Sequence, residues 1–128
     1  MKAKFIKTGG SALTATVEIE GKIYHAMDEV SSRDKPVEPG SVYDVEFTAL
    51  CLGDEEWEDI FSGNPHKKKE LVRKGCWSYQ AYGEIVQVAP VIIDCGIEIE
   101  VPVSTHDERC IGEFISIEIS RLDMTEKM

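Results

Sequence analysis

The chain has 128 residues, 42% apolar and 30% charged, a balance that fits a globular protein and argues against a disordered or fibrous one. Its 14 Lys and Arg stand against 24 Asp and Glu, and the resulting net charge of -10 repels polyanions and anionic lipid while favouring a basic partner. One core suffices at this length, so a single domain over residues 1–128 is expected; four widely spaced cysteines without an export signal point to free thiols in a soluble, cytoplasmic protein.

Residues 2–8 alternate weakly and predict a first strand, ended by Gly9-Gly10. Leu13, Ala15, Val17 and Ile19 then alternate with Thr14, Thr16 and Glu18, the pattern of a half-buried strand. Glu20-Gly21 supplies a turn into a second arm over residues 22–27, making a hairpin. Pro36 and Pro39-Gly40 mark a loop, because proline lacks the donor a ladder needs. Residues 42–52 follow as a long strand with Tyr43, Val45, Phe47, Ala49 and Cys51 on one face.

Residues 53–75 read as one long charged connection. Acids lead an apolar cluster over residues 54–61, which predicts a short helix, since carboxylates in a first turn complement the helix dipole. Ser62-Gly63-Asn64-Pro65 ends it, and a basic run from His66 to Lys74 precedes the return of strands near Cys76 or Trp77. In the next strand the inward face is expected to switch at Gly83, a glycine suited to a bulge or bend. Pro90 opens another strand, Asp94-Cys95-Gly96 interrupts it, and Ile97, Ile99, Val101 and Val103 resume the alternation. A polar hairpin turn at residues 105–109 leads to a last strand carrying Ile115, Ile117 and Ile119, and residues 123–128 are expected to fray.

Six or seven strands with one short helix in the mid-chain connection predict an all-β fold, a small antiparallel β-barrel. With Pro39-Gly40 entering a long strand, then Gly83-Glu84-Ile85-Val86 and a closing hairpin, the chain resembles an oligonucleotide/oligosaccharide-binding (OB) barrel over roughly residues 12–122. The resemblance lies in element order.

For contact with a partner the sequence nominates Asp54, Glu55, Glu56, Trp57, Glu58, Asp59 and Phe61, aromatic anchors among carboxylates that would steer a basic protein. The competing structural role is a helix that caps the barrel. An immunity-type inhibitor of a basic nuclease or toxin is one concrete form of the binding reading. A second face, Lys67, Lys68, Lys69, Arg73, Lys74, Trp77, Tyr79 and Tyr82, offers cations and stacking rings to single-stranded nucleic acid, a ligand that OB resemblance implies and net charge opposes, while barrel core or cross-strand pairing explains the alternating aromatics more economically. A thiol enzyme would need Cys95 or Cys110 beside His106 and Asp107, whereas small buried cysteines and a solvated turn explain the same residues. No Cys-x-x-Cys or His-x-x-x-His pair is present, His106 and Cys110 are four apart but flank a turn without a matching second pair, and there is no phosphate loop, so neither metal nor cofactor is expected, nor catalysis.

Overall fold

The computed structural model describes residues 1–53 and 55–127 and is mostly β, 49% strand against 7% helix, the helical part being one short α-helix and a 3-10 turn at Glu108–Cys110; ten strands lie among the described residues. The strands are β1 (Lys2–Thr8), β2 (Thr14–Ile19), β3 (Lys22–Asp28), β4 (Val42–Leu50), β5 (Glu70–Arg73), β6 (Tyr79–Gln87), β7 (Ile92–Asp94), β8 (Glu98–Glu100), β9 (Phe114–Ile119) and β10 (Arg121–Glu126), with helix α1 (Trp57–Ser62) between β4 and β5. Alternation did locate the early strands. Ala15, Val17 and Ile19 of β2 and Val45 and Phe47 of β4 are buried, and Glu20-Gly21 joins β2 to β3 as a two-residue loop with both φ angles positive. That backbone matches the twist of a hairpin.

Five strands close a mixed barrel in the order β1-β2-β3-β10-β4 and back to β1. The pair β3–β10 is parallel and short, joining only Met27 to Asp123 and Asp28 to Met124. The expectation of an antiparallel barrel is therefore corrected to a mixed one: alternation reports which face is buried but carries no information on partner direction. Residues 123–128 were expected to fray, yet Arg121–Glu126 is the strand that closes the barrel, with Leu122 and Met124 fully buried. The barrel thus begins at Lys2, outside the 12–122 span of the resemblance.

The other five strands are peripheral and form the insertion between β4 and β10. Here β6 is central: β9 runs along one edge, while β5 and then β7 share the other. From β7 the sheet passes through β8 to β4, which β8 joins in parallel at Phe47 and Thr48. Gly83 is no crossover in this strand. Tyr79, Ala81, Gly83 and Ile85 all face inward, and a side chain at Gly83 would lie 2.7 Å from the Asp94 carbonyl oxygen. The glycine was misread because it adds no hydrophobicity to the inward face it occupies; the register shift comes later, between Ile85 and Gln87. Residues 105–109 likewise form no hairpin turn, since β8 pairs with β7 and β4 while β9 pairs with β6. Barrel and periphery bury one continuous apolar cluster.

Candidate functional site

The mid-chain connection is built around Ile60. A helix of this length does not hold by itself, and the residue before it makes no side-chain cap, so packing must supply its stability. Ile60 is buried, and Gly63, just past the helix, fits so closely that a Cβ there would come within 2.7 Å of the Ser116 Cβ on β9. Buried Asn64 completes the attachment: its amide nitrogen donates to the carbonyls of Lys68 and Ile115, and its oxygen accepts from the Lys68 N–H at 2.8 Å. On the way in, the Glu55 carboxylate accepts from the Glu118 N–H at 3.2 and 3.3 Å.

These contacts separate the nominated residues into two groups. Glu55 ties the connection to β9, whereas Glu56, Trp57, Glu58 and Asp59 are exposed. Trp57 is 44% exposed and stacks on half-buried Phe61 with ring centroids 5.4 Å apart. Asp54 lies outside the described residues. Leu52, on the same connection, is the most exposed large apolar side chain among the described residues, at 74%.

Of the second nominated face, one member, Tyr79, is withdrawn into the core. Tyr79 is 3% exposed, and its hydroxyl accepts from the His25 N–H at 2.9 Å and donates to the His25 carbonyl at 3.1 Å. It fills the edge of β3 beyond the short parallel pair with β10, where a neighbouring strand would otherwise bond. Lys69 places its ammonium 3.2 Å from both Glu84 and Asp94, and these carboxylates raise its pKa, the Asp94 hydrogen bond most of all. The Arg73 guanidinium donates to the carbonyls of Gly75 and Cys76 in its own hairpin loop. Lys67 sits 6.0 Å from the Phe114 ring centroid and Lys68 5.6 Å from that of Tyr82. Trp77 is half-buried and Lys74 exposed.

Two of the four thiols are held in the protonated form. Burial pushes Cys95 up to about 12 and Cys51 up to about 11, with neighbouring carboxylates adding to both, so neither is a thiolate near neutral pH. His106 is exposed, and Asp107 is engaged by the Arg109 guanidinium, whose hydrogen bonds lower its pKa. Among the described residues, no group of three or more His, Cys, Asp and Glu is gathered as a metal-binding set.

Sequence reasoning missed two features. Asp28 is completely buried and accepts hydrogen bonds from the Val30 and Ser31 N–H groups and from the Thr8 and Ser31 hydroxyls, clamping the loops at one end of the barrel. Its place at the end of an apolar strand gave no sign of burial. The second is a cleft of about 530 Å³ where β1 and β8 diverge along β4, lined by Met1, Ile92, Glu46, Glu98 and Glu100 among others. Its named acids come from β4 and β8, strands far apart in the chain, so only the topology brings Glu46 to Glu98 and Glu100.

No family model matches the chain, and neither the curated proteins nor the solved structures contain a match.

Proposed function

We propose that this chain is a non-catalytic binding domain on an OB-like barrel, engaging a basic protein partner through the exposed face of α1. The observation that carries the reading is the Trp57–Phe61 stack: Ile60 anchors the helix, while Trp57 stays 44% exposed among Glu56, Glu58 and Asp59. A half-exposed tryptophan beside a residue that is already buried is the kind of side chain that anchors interfaces, and surrounding carboxylates accelerate the approach of a cationic partner. The OB-like description draws support from the closure order, in which the last strand enters between the third and fourth in a five-strand Greek key. An immunity-type inhibitor of a basic nuclease or toxin is one concrete form of this function.

Affinity capture from the native host at low and high salt, followed by mass spectrometry, tests the reading. A basic protein retained at low salt and released at high salt is the expected result. Nucleic acid alone, or partners without basic character, would count against it.

A further inference from the structure

We propose a second contact site: the cleft between β1 and β8 seats a lysine or arginine side chain from an extended basic segment of a protein partner. Glu84 on β6 stands directly opposite Asp94 on β7, and Asp94 directly opposite Glu98 on β8, so three carboxylates form one row across the sheet. Like charges in direct opposition destabilise a sheet. The chain relieves two of the three itself, because Lys69 places its ammonium 3.2 Å from Glu84 and 3.2 Å from Asp94.

At the Glu98 end the row has no such relief. Glu98 and Glu100 project from the same face of β8, Glu46 lines the cleft from β4, and none of the three makes an ion pair among the described residues. The amino-terminal ammonium at the cleft is held by Asp44 at 2.7 Å, leaving Lys127 as the other cation on the lining. Lys69 therefore shows what the row accepts, and the open end repeats the acceptor with no ion pair formed by it or by Lys127 among the described residues. Half-buried Ile92 and Met1 give the cleft an apolar wall against which the aliphatic stem of a lysine or arginine packs. Volume, wall and charge together fit a side chain on an extended peptide. The seat lies across β6 from β9 and α1, so it stands independently of the Trp57 face.

The test is an amide chemical-shift titration with a capped pentapeptide alternating arginine and leucine, and with a glutamate–leucine control. Shifts centred on Glu46, Ile92, Glu98 and Glu100 are expected with the basic peptide only. Glu98→Gln combined with Glu100→Gln should weaken binding at least ~10-fold, the loss expected when two ion pairs with the peptide are removed, while Trp57→Ala leaves this site unchanged. Glu98→Lys, which supplies the cation within the chain, should abolish peptide binding and raise the denaturation midpoint. Shifts spread evenly over all acidic surface, an unaltered affinity in the double variant, or a lower midpoint for Glu98→Lys would each overturn the proposal.

Discussion

At the residue scale, α1 assigns different work to neighbouring side chains. Ile60→Ala should cost about 2–4 kcal/mol through the cavity it leaves, whereas Trp57→Ala should cost less than ~1 kcal/mol because its ring is half in solvent. Urea denaturation of the two variants checks this directly. The cysteines differ in the same way: iodoacetamide at pH 8 should modify exposed Cys76 in the folded protein and leave Cys95 unmodified until unfolding, as peptide mapping would reveal. His25 supplies a pH dependence. Burial first, then Arg73 and Lys7, lower its pKa below 6.5, so the unfolded chain binds a proton that the folded chain does not. Stability should therefore decline as pH falls below 6.5 towards the lowered folded value, and His25→Gln should flatten that part of the curve of denaturation midpoint against pH.

Among the elements, legibility in the sequence depended on how local the determining physics was. The β2–β3 hairpin could be read because both alternation and the Glu20-Gly21 turn are contained in the hairpin itself. The α1 helix was legible for the same reason, although it starts at Trp57, after the leading acids. Strand β5 was not, since Glu70-Leu71-Val72-Arg73 sits in a basic run and gains its conformation only by pairing with β6. Gly83 shows the limit most clearly: what requires glycine there is the approach of Asp94, a residue in another strand. Tyr79 is a similar case, an aromatic that sequence could assign to stacking but that bonds the open edge of β3. Tyr79→Phe should cost about 1–3 kcal/mol, the penalty for leaving buried backbone groups unpaired, and should speed hydrogen exchange at the His25 amide. Unchanged exchange there would show that β3 is secured by other contacts.

For the whole molecule, strand content was predictable and closure was not. Parallel pairing of β3 with β10 and of β4 with β8 joins residues far apart in the chain, and nothing in a period-two pattern specifies it. As a result, the stretch from Gly83 onward, expected to end in a closing hairpin, contributes only β10 to closure; its other strands belong to the peripheral sheet on which α1 rests. The acidic-aromatic segment was legible as a candidate because its residues are contiguous, whereas the carboxylate row of Glu84, Asp94 and Glu98 is assembled from three strands and could be seen only once they were paired. An excess of acid spread over the chain thus becomes two distinct surfaces. The central claim, that Trp57 anchors a basic protein partner, is tested most directly by calorimetric titration of the captured partner with wild-type protein and with Trp57→Ala. The expected result is a loss of about 2 kcal/mol, roughly 30-fold in affinity, at an unchanged denaturation midpoint; equal affinity for the two proteins, or a loss that appears only because the variant unfolds, would contradict it.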